Sequence, residues 1–333
     1  MRRHLVLLAG LLAAQVLFAA KTLDLYFIDV EGGQATLIVT PAGQSVLVDA
    51  GWPGNEGRDA TRIIAAAKKA GVKRIDYMLT THYHLDHVGG VPQLAEKFPV
   101  VTFVDHGDNT ETGRSAERLS SEYQRVMAAG KRLQVKAGDT LPLKDVDLRF
   151  VAARGETVKS GGAKNALCAD AQRRADDASE NARSIGFILS WGDRFRFVDL
   201  GDLTWNKELD LACPENVLGK VDLYLTTHHG LDQSGPAALV HAVAPRVAVM
   251  NNGARKGGSP AAIKIVRSSP GLEDLWQLHY AVTAGAESNA PDAFIANLDE
   301  ACEGQWIRVS VDATGSFTVY NNRNKHQKAY ARR

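Results

Sequence analysis

The stretch RIDYMLTTHYHLDHVGG, residues 74–90, runs an apolar segment straight into a knot of polar groups. Arg74–Thr81 has the β-branched and aromatic content of a buried strand. It feeds His82, His84, Asp86 and His87, and Gly89-Gly90 then opens a helix. Where a strand exits its sheet the chain is irregular, so side chains two apart can converge on one point. His82 and His84 suit one cation. Asp86 and His87, at the mouth of the helix, suit a second beside it, and the two glycines keep bulk away. Neutral imidazole and carboxylate are good ligands for zinc, with manganese or iron as alternatives. A chance run of surface histidines is the competing reading. It is the weaker one, because ten histidines in 333 residues seldom place three within six positions.

Around this knot the chain alternates strand and helix. Leu23–Val30, Gln34–Thr40 and Ser45–Gly51 read as short strands split by glycine turns. GRDATRIIAAAKKAGV puts Ile63, Ala67 and Ala70 on one helical face and stops at Gly71. SAERLSSEYQRVMAAG does the same with Leu119, Tyr123 and Val126. Residues 155–182 read as a long surface loop. SIGFILSWGDRFRFVDLGD reads as a hairpin turning at Trp191-Gly192-Asp193, VDLYLTTHHG as a strand ending in histidines, and QWIRVSVDATGSFTVYNN as a final hairpin. This is one layout run twice, and two sheets back to back with helices outside would bury its apolar runs.

Residues 1–20 have the order of an export signal: Arg2-Arg3, an apolar Leu5–Phe18 and small Ala19-Ala20. The apolar run is short of the roughly 20 residues of a membrane span. The expectation is a secreted or periplasmic protein with no span after cleavage, a single domain over 21–322, and a solvated basic tail over 323–333. Lys and Arg number 39 against 38 Asp and Glu, so no strong field for nucleic acid is present. Three cysteines leave two readings: a Cys168–Cys213 bridge with Cys302 odd, or three separate buried thiols.

H-x-H-x-D-H after a strand, preceded by LVDAG, resembles the metallo-β-lactamase superfamily. The resemblance implies an αββα sandwich of two mixed β-sheets flanked by helices. It also implies a one- or two-metal site at one edge, where a metal-activated water attacks an ester, amide or phosphodiester. VDLGDLTW matches the family's order and offers Asp202, the position that bridges both metals there; Asp199 is its competitor. LTTHHG offers His228 and His229. Similarity to an H-x-G ending puts His228 on the metal and similarity to a G-H-G ending puts His229 there; the reading leans to His228, with His229 beside it as a proton donor or substrate contact. Asp86 and Asp202 would hold and orient the nucleophile. Asp49, in LVDAG, matches an acidic position that orients a ligand histidine.

DVEGGQA, FVDLGD, HHGL and ENARSIGFIL resemble a narrower branch, the hydrolase domain of DNA-uptake channel proteins together with the phosphorylcholine esterases. Asn181 and Ser184 would then lie close to the metals. The chain departs from that branch at Gln34, where an acidic residue is usual, and at Gly258, where a late histidine is usual. His106 is the only histidine between residues 88 and 227, and reads better as a strand-end hydrogen-bonding group than as a ligand. His241 reads as a packed or surface group. His279 and Trp52 are candidates for a substrate wall. The expected function is an exported zinc-dependent hydrolase of a phosphodiester or other ester, in a small molecule or a cell-envelope polymer. The alternatives are a β-lactam or lactone hydrolase and an inactive metal-bearing binding protein. An iron oxidoreductase fits less well, because no flavin- or iron–sulfur-type motif is appended.

Overall fold

Two-residue alternation decides how the strands are used. In Leu23–Phe27 the side chains of Leu23, Leu25 and Phe27 enter one apolar cluster and Tyr26 enters another. Ile38, Val46 and Val48 divide from Leu37 and Leu47 in the same way. Strands that are apolar on both faces must be covered on both faces. The computed structural model, which describes residues 21–333, meets that demand with two sheets packed face to face and helices on the outside. The export segment expected over residues 1–20 lies outside the described residues.

The first sheet runs, in spatial order, Gln327–Tyr330, Phe317–Asn321, Ile307–Val311, Leu23–Phe27, Thr36–Val39, Ser45–Val48, Ile75–Leu79, Val100–Asp105, Lys131–Gln134. It is antiparallel up to Ser45–Val48 and parallel beyond. The second sheet has a parallel half, Ile295–Asn297, Asp274–His279, Val247–Met250, Leu223–Leu225 and Phe195–Asp199, continued antiparallel by Gly186–Trp191 and Asp147–Ala153. Phe150, Phe187, Phe197 and Trp276 meet Leu25, Val48 and Leu79 between the sheets. Each such side chain contributes about 1.5–3 kcal/mol by leaving water. Helix Arg58–Lys69 lays Ile63, Ala66 and Ala67, and helix Arg114–Met127 lays Leu119, Tyr123 and Val126, on the outer face of the first sheet. Helices Ala237–Val243 and Pro260–Arg267 cover the second. The αββα sandwich is therefore the architecture of the described residues, and no helix among them is long and apolar enough to cross a membrane.

Three details differ from the sequence reading. The closing hairpin does not extend the second half. It crosses back so that Ile307–Val311 pairs with Leu23–Phe27 of the first sheet. The basic tail ends as a sheet edge: Gln327–Tyr330 pairs with Phe317–Asn321, and Tyr330 is buried with its ring on Phe317 at 4.8 Å and its hydroxyl donating to Asp274 at 2.6 Å. Its charges mask one inward-facing aromatic. Residues 155–182 are not a free loop either. Ala163–Lys164 pairs with Glu215–Asn216, and a Cys168–Cys213 disulfide fastens the segment, leaving Cys302 as the free thiol.

Candidate metal centre

Parallel strands deliver their carboxyl ends to a common rim, which is where open α/β sheets place ligand sites. Ile75–Leu79 leads to His82–His87, Phe195–Asp199 to Asp202, and Leu223–Leu225 to His228 and His229. Both halves of the fold thus contribute to one place, and the side chains meet there.

Four donor groups, from Asp86, His87, Asp202 and His229, lie within 4.8 Å of one another and all are buried. His87 Nε2 stands 3.2 Å from Asp86 Oδ2 and 3.2 Å from Asp202 Oδ2. His229 Nε2 stands 3.2 Å from Asp86 Oδ2 and 3.3 Å from Asp202 Oδ1, and the two imidazole nitrogens are 3.2 Å apart. Four ligands about 2.0 Å from a tetrahedral zinc are about 3.3 Å from each other. The five separations match that spacing, so these side chains fit a divalent cation.

The protonation pattern fits as well. His87 Nδ1 lies 2.7 Å from Asp49 Oδ2. Asp49 is fully occupied otherwise, accepting from Thr81 N at 2.8 Å and Thr81 Oγ1 at 2.6 Å. A carboxylate on Nδ1 fixes the tautomer and leaves the Nε2 lone pair aimed at the other donors. Burial holds His82 well below the usual imidazole range, with His87 adding to the effect, and it also lowers His228. Burial pulls the Asp86 and Asp202 carboxyls upward, but the surrounding imidazoles, His87 foremost for Asp86 and His229 for Asp202, hold both well below the usual range. His87 alone goes the other way. Burial opposes its charge, and Asp202, Asp86 and Asp49 raise it well above an ordinary imidazole.

Beside this group, sharing Asp202, lies a looser one. Asp202 Oδ2 is 3.9 Å from His82 Nε2 and 3.4 Å from His228 Nε2. His82 is wholly buried, and its Nε2 has no hydrogen-bond partner. His228 Nδ1 is tied to Ser234 Oγ at 3.3 Å. The His84 ring sits 4.7 Å from that of His82, but its Nε2 turns to Glu111 Oε1 at 3.4 Å. The structure therefore brings together six of the seven residues expected as ligands or catalytic groups, with His84 at the margin. At 228 and 229 it places His229 inside the tight group and His228 beside it, next to Asp202. The cause is backbone. Both residues are left-handed, at φ 55° each, which swings the second ring inward. Such a conformation costs of order 1–3 kcal/mol per residue. It is held by His228 N to Gly201 O at 3.0 Å and by Gly258 N to His229 O at 2.9 Å. At Gly257 a Cβ would fall 2.2 Å from His229 O, so a side chain is excluded there.

Other expectations resolve differently. A Cβ on Gly90 would fall 2.0 Å from Ala50 O, so this glycine makes room for backbone packing and not for metal. His106 is buried against Glu180 at 2.9 Å and is not among the clustered donors. His279 is no wall residue: it is fully buried and bonds Asp29 Oδ1 at 2.7 Å. His241 Nε2 faces the carbonyl of Ile265 at 3.0 Å on the outer layer. Ser184 and Asn181 precede Gly186–Trp191, whose entrance is held to Thr81 by Ile185 N at 2.8 Å. Gln34 Nε2 donates to Asp199 Oδ2 at 2.8 Å, which occupies the aspartate that competes with Asp202. Lys256 and Glu111 were not singled out from the sequence. Lys256 Nζ bonds Asp86 Oδ2 and lies 5.1 Å from the Trp52 ring, while Glu111 borders a cleft of about 390 Å³ with Trp52, Tyr83, His84, Leu85 and Asp86. An isolated lysine or glutamate in a loop carries no spacing signal.

Residues 28–164 match the profile of the metallo-beta-lactamase superfamily. The hydroxyacylglutathione hydrolase of Stenotrophomonas maltophilia is 34% identical over 99 residues, 30% of this chain and 35% of the relative. The hydroxyacylglutathione hydrolase of Xylella fastidiosa is 34% identical over 120 residues, 36% of each chain. The chain thus spans about a third of the length of these curated relatives. Among solved structures, the metallo-beta-lactamase fold protein YhfI of Bacillus subtilis superposes with a TM-score of 0.47 at 12% identity, covering 77% of this chain and 96% of that one.

Proposed function

Residues 28–164 belong to the metallo-β-lactamase superfamily, and from that premise we propose that the chain is an exported metal-dependent hydrolase acting on a phosphodiester or other ester. The observation that carries the reading is the set of five donor separations of 3.2–3.3 Å among Asp86, His87, Asp202 and His229. Those four residues would hold one divalent cation, zinc by donor type, and His82 and His228 with Asp202 would hold a second. A bound cation of this class supplies Lewis acidity and lowers the pKa of its water from 15.7 to about 7.

The chain's own groups do the rest. Asp202 and Asp86 accept hydrogen bonds from the attacking water and aim it. His87 is kept in one tautomer by Asp49, so its Nε2 stays a lone-pair donor. Lys256, beside Asp86 and over Trp52, sets a positive charge at the cleft and favours an ester that carries an anionic group. The relatives' name favours a second reading, a hydroxyacyl thioester, for which the same groups serve. Export rests on the order of residues 1–20 and is checked by the N-terminal sequence of the mature chain, expected to begin near Lys21.

The deciding experiment is turnover of the zinc-, manganese- or iron(II)-loaded protein on bis-p-nitrophenyl phosphate, a hydroxyacylglutathione thioester and nitrocefin. The expected result is hydrolysis of an ester that chelation removes and added metal restores. Metal bound without turnover of any ester would leave a metal-bearing binding protein. Failure to bind metal would end the reading altogether.

A further inference from the structure

A second convergence of donors lies outside the centre. Asp29, Glu31, His279 and Cys302 each bring a ligand atom within 4.8 Å of the others. The donors come from three separate parts of the chain: the end of the first strand, the end of Asp274–His279, and the loop before Ile307–Val311. His279 is fully buried and turns Nε2 toward Asp29 Oδ1 at 2.7 Å and Glu31 Oε2 at 3.6 Å. Cys302 Sγ lies 3.3 Å from Asp29 Oδ2, 3.4 Å from Glu31 Oε1 and 3.8 Å from His279 Nε2. Four ligands about 2.0–2.3 Å from a tetrahedral cation stand about 3.3–3.8 Å apart. Four of the five separations fall near that range, and the shortest is the imidazole–carboxylate hydrogen bond that binding would open.

Arg62 is the resident cation. Its Nη1 bonds Asp29 Oδ2 at 2.9 Å and Glu31 Oε1 at 3.0 Å, and its Nη2 bonds Cys302 O at 3.0 Å. Each carboxylate keeps one oxygen off the guanidinium contact, Asp29 Oδ1 and Glu31 Oε2, and these face His279 Nε2, whereas Cys302 Sγ lies nearest the two oxygens that Arg62 holds, so binding a cation turns the carboxylates toward a shared point. The guanidinium holds both carboxylates and the Cys302 carbonyl in place beside His279. Charge agrees: two carboxylates, a thiolate, one guanidinium and a divalent cation sum to zero.

We propose that Asp29, Glu31, His279 and Cys302 form a second, separate site for a zinc-like divalent cation, with Arg62 as its outer brace. Binding replaces the thiol proton of Cys302 with a metal–sulfur bond, and the proton passes to solvent. His279 binds through Nε2 as the neutral imidazole, its remaining proton on Nδ1. The mixed oxygen, nitrogen and sulfur donors select a borderline-soft ion over calcium or magnesium. Its role is to hold the Glu31–Gln34 bend. That bend starts at the left-handed Glu31, at φ 57°, and ends where Gln34 N bonds Asp86 O at 3.0 Å. The site thus steadies the backbone beneath one donor of the first centre.

Cobalt(II) distinguishes the two sites, because the first has no sulfur and Cys168 and Cys213 are bonded to each other. The purified full chain, titrated with cobalt(II), is expected to show a near-ultraviolet thiolate-to-cobalt band together with visible absorption from the first centre. Cys302→Ser, nearly isosteric, should lose the band and one equivalent of bound zinc while keeping the visible absorption and its melting temperature in chelator. His279→Gln should also lose the band. Asp202→Ala should keep it, so the site stands or falls independently of hydrolysis. Absence of the band from the wild-type chain at saturating cobalt, its persistence in Cys302→Ser, or its persistence in His279→Gln would each overturn the proposal.

Discussion

The two donor clusters at the rim are built from similar groups and differ in what neutralises them. Around Asp29 and Glu31 a guanidinium is already in place, at 2.9 and 3.0 Å. Around Asp86 and Asp202 the charge facing the carboxylates comes from imidazoles and from Lys256, which reaches only Asp86. A fixed guanidinium cannot be deprotonated or displaced cheaply, so the first kind of cluster is stable on its own. Neutral imidazoles are metal donors, so under the proposed function the second kind takes up a metal ion. Two clusters of equal acidity thus differ in that the chain itself already braces one of them with a guanidinium.

The largest expected effect comes from breaking the centre. Asp202→Ala removes the carboxylate common to both groups of histidines, and turnover on any ester found to be a substrate should fall by about a thousandfold or more. The fold should persist, because the rim lies outside the packed clusters; steady-state kinetics with a thermal melt reads both. A variant that keeps even a tenth of the activity would move the chemistry elsewhere. Next comes breaking the brace. Arg62→Ala takes the guanidinium from a buried Asp29 that keeps only His279 and the Glu31 amide, and stability should drop by about 1.5–3 kcal/mol. Zinc should recover part of that loss. A melt indifferent to the substitution would mean that the two clusters are not different in kind.

The smallest effect concerns a third pairing at the same rim. Burial pulls the Glu180 carboxyl upward, but His106 and Thr110 bring it down to about 2. A carboxyl lowered in the folded state contributes stability that is complete above its unfolded pKa, near 4.5, and is lost as the pH falls toward 2. Glu180→Gln should therefore be less stable than wild type at neutral pH, and the difference should shrink between about pH 4.5 and 2. Melting temperatures across that interval check it. A gap that stays constant into acid would show that Glu180 acts only by packing.

Much of the centre was legible because its residues sit at strand ends in short patterns. His82, Asp86 and His87 are positioned by their distance from an apolar run, and a run of alternating apolar residues marks where a strand stops; Asp202 was suggested by the family resemblance. Asp49, the residue after Ser45–Val48, was suggested by the family resemblance, and the structure puts it 2.7 Å from His87 Nδ1. The order of His228 and His229 was not legible, because two adjacent left-handed residues invert the ordinary alternation and no composition signals that. Glu111, Lys256 and the Asp29–Cys302 group were equally hidden. Each depends on chain segments that meet across 27 to 273 positions, and Cys302 in particular has no local pattern around it.

The sequence by itself determined the layers and the first half of the candidate donor set. Periodicity fixes which faces must be buried, and a histidine cluster after a buried strand can only stand at a sheet edge. Tertiary structure alone decided that the last hairpin returns to the first sheet, that the basic C-terminus closes as an edge strand, and which imidazole of the pair points inward. Those outcomes follow from strand pairing and backbone handedness between distant segments, and such pairings leave no mark in the local order of residues.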